Sequence, residues 1–159
     1  MLELQLLLLL FAANSAPVLA RNFFGSRWQA AIDGGLIMAD GQPLLGHSKT
    51  WRGLFSALLV TTVLAVLFGL GWDFGLIFGA LSMLGDLCSS FIKRRMRKPA
   101  SSQALLLDQL PEALLPLMVG QWLLDYSWTA VLLLSVAFML SELGISPLLF
   151  KLGIRKRPY

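Results

Sequence analysis

The sequence predicts an all-α integral membrane protein: five transmembrane helices, the N-terminus outside and the C-terminus cytoplasmic. Three observations carry that expectation. Of the 159 residues, 57% are hydrophobic and only 14% charged, with a mean hydropathy of +0.72. A soluble domain of this length leaves too much surface exposed to hide that share of apolar side chains. Five apolar runs approach the ~20 residues that cross a bilayer. Finally, all 13 Lys and Arg fall in three segments, 21–53, 93–104 and 151–159, which alternation along the chain puts on one side. The other side carries only Glu3, Asp73 and Asp125. The positive-inside bias makes the basic side cytoplasmic.

In chain order the predicted spans are Met1–Ala20, Leu54–Gly71, Phe74–Ile92, Leu105–Leu124 and Trp128–Phe150. The first run resembles a signal peptide with Val18-Leu19-Ala20 as a cleavage site. Its start, however, carries Glu3 and no basic residue, so it reads as a retained span. Spans two and three are separated by Gly69 to Asp73, and spans four and five by Asp125 to Ser127. Links that short join antiparallel neighbours. The whole chain, 1–159, reads as one domain with cytoplasmic loops at about 21–53 and 93–104. Phe23, Phe24, Trp28 and Ile32, with Arg21 and Arg27, fit a short interfacial helix. Trp122 and Trp128 suit an aromatic belt, and the tail Arg155-Lys156-Arg157 an anchor to anionic lipid. Cys88 is the single cysteine, so no internal disulfide forms.

The polar residues at membrane depth carry the chemistry. Asp86 lies about six residues inside the cytoplasmic end of span three, where a carboxylate costs about 3 kcal/mol unless paired or wetted. At 3.6 residues per turn, Ser82, Asp86, Ser89 or Ser90, Lys93 and Arg97 share one stripe. With Gly75, Gly79 and Gly85 alongside, that stripe faces the bundle interior or a cavity. Taken alone, Asp86 fits equally an acid neutralised by a neighbouring cation. Asp108 shifts the balance toward function. It lies at similar depth on the next span, joined to the first by a basic loop with five cations in Lys93–Lys98. Oxygen ligands of this kind suit Mg²⁺, which takes one or two carboxylates plus substrate phosphates. Lys and Arg around them suit phosphate oxygens, and the set points to phosphoryl or nucleotidyl transfer. Pro111 and Pro116 break or kink span four, as tolerated beside a cavity. Glu142, deeper in span five, reads as structural.

The first loop adds Gly46-His47-Ser48-Lys49-Thr50-Trp51-Arg52-Gly53 at the mouth of span two. Small residues, hydroxyls and two cations running into a helix N-terminus form an anion site, or equally a contact with anionic head groups. The glycine spacing is not that of a Walker A loop. His47 has no other His or Cys partner and reads as a loop residue.

Taken together, GDLCSSFIKRR from Gly85, LLLDQLP from Leu105, IDGG from Ile32, DGQPLLG from Asp40 and GHSKTWRG from Gly46 resemble the CDP-archaeol synthase family. These are CTP-dependent lipid-phosphate cytidylyltransferases related to CDP-diacylglycerol synthases. The resemblance covers nearly the whole chain and implies an enzyme of five spans, embedded in the cell membrane with its active site facing the cytoplasm. It implies CTP and a membrane lipid phosphate as partners, Mg²⁺ as cofactor, and a CDP-lipid with pyrophosphate as products. By the same resemblance, Asp86 and Asp108 hold metal. Ser90, Lys93 and Arg94 bind phosphates, with Lys93 also counted as catalytic. Lys49, Thr50 and Arg52 contribute to nucleotide binding, and Asp33 matches an acidic loop position. One departure is visible: where many relatives carry a second acid three residues after Asp108, this chain has Pro111, with Glu112 beside it.

The lipid is a diether glycerol phosphate on the closest branch, or alternatively a diacyl phosphatidate. A CDP-alcohol phosphotransferase fits poorly, because Asp33-Gly34 lacks that signature's following residues. A non-catalytic transporter or scaffold is the alternative of another class, and no inverted repeat supports it. Nothing in the basic segments calls for nucleic acid. Small-residue helix faces leave a homodimer open.

Overall fold

The protein is described here from a computed structural model covering residues 1–99, 102, 104 and 106–151, with side chains through 144. Five α-helices make up the described chain: α1 Leu2–Phe24, α2 Trp51–Leu67, α3 Trp72–Arg95, α4 Gln109–Leu124 and α5 Trp128–Lys151. α3 is central, packing on α1, α2 and α4, while α5 closes against α4 and α1. Among the described residues, α1 and α3 are each long and apolar enough to cross a membrane. The outward faces of α2 and α5 are apolar as well, with Phe55, Leu59, Val63, Leu132 and Leu133 all exposed.

Small residues set the helix spacing. A Cβ on Gly75 would lie 2.6 Å from the Ala65 Cβ and 2.7 Å from the Thr62 Cα, so α2 and α3 meet nearly backbone to backbone. A Cβ on Gly85 would lie 2.6 Å from the Glu112 Cα and closer still to the Pro111 carbonyl. That approach sets α4 directly against the part of α3 that carries Asp86. Pro111 sits in the first turn of α4, where its missing N–H would have had no helical partner anyway.

The apolar core lies toward the end with the two short links. Leu6, Leu9 and Leu10 of α1 meet Phe74 and Phe78 of α3, Leu117 of α4 and Phe138 of α5. Within the core, the Tyr126 hydroxyl donates to the Leu117 carbonyl at 2.5 Å, and burial pushes the phenol pKa well up. At the opposite end, residues 25–50 form a compact knot rather than a helix. Ala31 pairs with Thr50 and Ile37 with Pro43.

Three expectations need correction. No separate interfacial helix spans 21–32. α1 runs on to Phe24 and stops at Gly25, whose φ of 58° ends the helix, and Trp28 also has positive φ. The aromatics still cluster on the surface, with Phe24 and Trp28 ring centroids 5.2 Å apart. Asp108 lies not within a helix but at the head of α4, which starts at Gln109. Arg97 leaves the Asp86 stripe, because α3 ends at Arg95 and Arg97 takes a φ of 55°. The tail Arg155-Lys156-Arg157 lies outside the described residues.

Candidate active site

A cavity of about 620 Å³ opens at the loop end of the bundle. Its walls come from α1, the 25–50 knot, the start of α2, the second half of α3, Ser102, the head of α4 from Asp108 to Glu112, and Glu142 of α5. Lys49, Thr50, Arg52, Asp86, Ser90, Lys93, Arg94 and Asp108 all line it. The residues singled out in the sequence therefore meet in one place, although they come from three distant stretches.

Each acid has its own cation. Lys49 Nζ lies 2.6 Å from both carboxylate oxygens of Asp86, across 37 residues of sequence. Lys93 Nζ lies 2.6 Å from Asp108 Oδ1 and donates to the Ser102 carbonyl at 3.1 Å. Lys93 is almost fully buried, whereas Asp86, Asp108 and Lys49 keep a fifth to a quarter of their side-chain surface exposed. These pairs are wetter than a protein core and drier than a surface. Asp108 uses its other oxygen to accept from the Ala104 N–H at 2.8 Å, which fixes the turn leading into α4.

The remaining cations are partly spent on loops. Arg94 donates to the Pro99 carbonyl at 2.7 Å. Arg95 reaches Asp40 and the Pro43 carbonyl, both at 2.7 Å, and so straps the knot to α3. Arg52 donates to the carbonyls of Gly25 at 3.0 Å and Arg27 at 2.5 Å, bracing the turn after α1. Thr50 is the N-cap of α2, its hydroxyl accepting from the Gly53 N–H at 3.2 Å. Asp33 is not among the residues lining the cavity. It accepts from the N–H groups of Gly35, Leu45 and Gly46 at 2.8–3.0 Å and ties the knot together. Burial raises the Asp33 pKa, and those three donations outweigh it, leaving the carboxyl below its ordinary value.

The carboxylates available to a metal offer oxygens, and His47 is the one imidazole among the residues lining the cavity. Asp86, Asp108, Glu112 and Glu142 share the cavity, yet among the described residues no three acid, His or Cys side chains converge into a protein-only cage. That set fits Mg²⁺, which commonly takes one or two carboxylates and completes its shell with phosphate and water. It does not fit a metal demanding soft or imidazole ligands.

Several lining residues escaped the sequence reading. Asn14 of α1 donates to the Leu10 carbonyl at 3.0 Å and approaches the Ser82 hydroxyl at 3.5 Å. Arg21, His47 and Gln109 also border the cavity. Glu142, read as structural, lines it too. A polar amide in a Leu-rich span costs free energy unless it is partnered, so Asn14 was findable on that signal, as was Gln5.

Comparison with known proteins places this architecture. The family described as CarS-like, CDP-archaeol synthase, matches residues 71–159. A CDP-archaeol synthase from Thermococcus gammatolerans is 34% identical over 162 residues, covering 94% of this chain and 90% of the relative. One from Pyrococcus horikoshii is 29% identical over 164 residues, covering 94% and 91%. One from Hyperthermus butylicus is 40% identical over 105 residues, covering 62% of this chain and 60% of the relative. A solved structure described as an intramembrane enzyme for archaeal membrane lipids biosynthesis superposes with a TM-score of 0.74 at 28% identity, covering 88% of this chain and 89% of that one.

Proposed function

The chain belongs to the CDP-archaeol synthase family, and from that premise we propose that it moves the cytidylyl group of CTP onto a membrane lipid phosphate of the diether type. The products are a CDP-archaeol-type lipid and pyrophosphate. The observation that carries the reading is that two acids, each with its own lysine, line one cavity.

The reaction follows from charge. An ionised oxygen of the lipid phosphate attacks the α-phosphorus of CTP. A new P–O bond forms, the bond from the α-phosphorus to the bridging oxygen breaks, and pyrophosphate leaves with that electron pair. No strong base is needed, because the attacking oxygen carries no proton. The obstacle is repulsion between two anions, so catalysis rests on positioning and charge compensation. Asp86 and Asp108 would hold Mg²⁺, which when bound offsets phosphate charge and orients the triphosphate. Lys93 and Arg94 lie at the end of α3 beside Asp108 and would grip phosphate oxygens. Ser90, one turn earlier on the same face, adds a hydroxyl. Lys49 approaches Asp86 from the knot. Thr50 and Arg52 would act mainly by fixing the knot, since their polar atoms already hold the α2 cap and the turn after α1.

The same reading makes all five helices membrane spans, puts the N-terminus outside and opens the cavity to the cytoplasm, where CTP is found. A soluble nucleotide and a bilayer-bound phosphate then meet at the inner leaflet. The test is radiolabelled CTP with the detergent-solubilised full chain and a panel of lipid phosphates. Mg²⁺-dependent label entering the lipid fraction with a diether phosphate is expected. Faster labelling of a diacyl phosphatidate would reassign the lipid. No labelling of either would remove the proposal.

A further inference from the structure

Both acids assigned to the metal lie against a lysine ammonium. Lys49 Nζ sits 2.6 Å from each Asp86 oxygen, filling the carboxylate edge where an ion would bind. Lys93 Nζ lies 2.6 Å from Asp108 Oδ1, an ion pair without the hydrogen-bond geometry of the Lys49 pair. We infer that Lys49 and Lys93 are exchangeable counterions: each neutralises its acid until metal and nucleotide arrive together, then yields the acid to the metal and passes to the polyphosphate.

The inference rests on the metal assignment proposed above and adds an order to it. An acid at this depth needs a partner at all times, and a lysine ammonium supplies one while no metal is bound. The two lysines are placed so that only their side chains need move. The Lys49 backbone is tied, its carbonyl accepting from Ile32 N–H at 2.9 Å and its own N–H donating to the Gly46 carbonyl at 3.2 Å. Lys93 is part of α3. A lysine carries its charge on a four-carbon stem with several torsions, so the ammonium can swing several ångströms from a fixed backbone.

Metal alone would displace an ammonium and leave it beside a dication, which is unfavourable. Metal with a triphosphate gives the displaced ammonium an anion to meet. The device therefore couples the two ligands: each binds poorly alone and well with the other.

Mn²⁺ titrated into the full chain in detergent without nucleotide, and followed by electron paramagnetic resonance, tests this. Wild type is expected to bind Mn²⁺ weakly. Lys49→Met should bind it about tenfold more tightly or better, because its competitor is gone. Lys49→Arg should stay near wild type, because a guanidinium still caps Asp86. Lys49→Gln, which keeps a polar group against Asp86, guards against misfolding of the Met variant and should also bind more tightly than wild type. Unchanged or weaker binding in both Lys49→Met and Lys49→Gln, each verified as folded by its unfolding transition, overturns the exchange. If wild type with CTP also holds no Mn²⁺ beyond that complexed by free CTP, the metal assignment fails and takes the inference with it. If wild type with CTP does hold Mn²⁺ while the variants behave as wild type, only the exchange fails.

Discussion

Phe78 and Asp86 lie eight residues apart on α3, about 12 Å along its axis, yet their surroundings have little in common. Phe78 is 1% exposed and packed among Leu, Val and Phe side chains from α1, α4 and α5. Asp86 faces a cavity and is fastened to a lysine from a loop 37 residues away. In a bilayer these two ends of the bundle are held by different forces. Lipid is as apolar as leucine, so the Phe78 end gains little from leaving its solvent and depends on close fit. The Asp86 end is held by charge in a poorly polarisable medium, where pairing counts for more than it would in water. One end is therefore suited to staying still, and the other to exchanging partners.

The sharpest break between the ends is expected from Asp86→Asn. The amide keeps the size and loses the charge, so Lys49 and any bound cation lose their anchor. Transfer should fall about a thousandfold, near 4 kcal/mol of transition-state stabilisation. Thermal unfolding should move by only a few degrees, because the pair is part-exposed and Lys49 can turn to cavity water. Phe78→Ala should do the reverse. With the transfer contribution largely cancelled by lipid, the void remains. A ring-sized hole of roughly 100 Å³ costs about 2 kcal/mol at about 24 cal/mol per Å³. The folded fraction should keep turnover within about twofold. Measuring transfer rate and unfolding midpoint on both variants decides the matter. Matching losses of both properties in both variants would mean that the two ends are not separable.

How far the sequence revealed these ends follows from the range of the forces. The helices were legible as long apolar runs between turn signals, and the residues that line the cavity were legible in part because acids in apolar runs stand out. Helix ends were less so. α1 overran its expected end until Gly25 stopped it, and α4 began one residue after Asp108 because that carboxylate turns back to the Ala104 amide. Pairing was not legible at all. Nothing local tells Lys49 to meet Asp86, or Arg95 to meet Asp40 across 55 residues. Asn14 stood out as a polar residue in an apolar run, but its direction did not: in a helix where nearly every position is apolar, periodicity does not mark the inward face. The close approach of Gly85 to Pro111 likewise needed coordinates, although it places the departure from the family pattern directly against the Asp86 turn.

Asp33 offers the finest test of the contrast, because it is the same side chain as Asp86 in a fixed setting. Its partners are three backbone N–H groups, which cannot swing away as an ammonium can. Their donation, outweighing burial, keeps its pKa below the ordinary aspartate value. A depressed carboxyl pKa contributes stability that is complete above the unfolded value and is lost as pH falls through the folded one. The 33–46 knot should therefore hold from neutrality to about pH 4 and loosen below that. Hydrogen exchange at the Leu45 and Gly46 amides reads this directly, with a few-fold loss of protection expected across the acid step after correction for intrinsic rates. Asp33→Asn, which has one acceptor oxygen in place of two, should show the loss already at pH 6 and no further step on acidification. It should lower transfer only modestly, through the wall that carries Lys49. If Asp33→Asn abolished transfer while leaving both amides protected, Asp33 would belong with Asp86 among the reacting groups, and the division between fixed and exchangeable acids would be drawn in the wrong place.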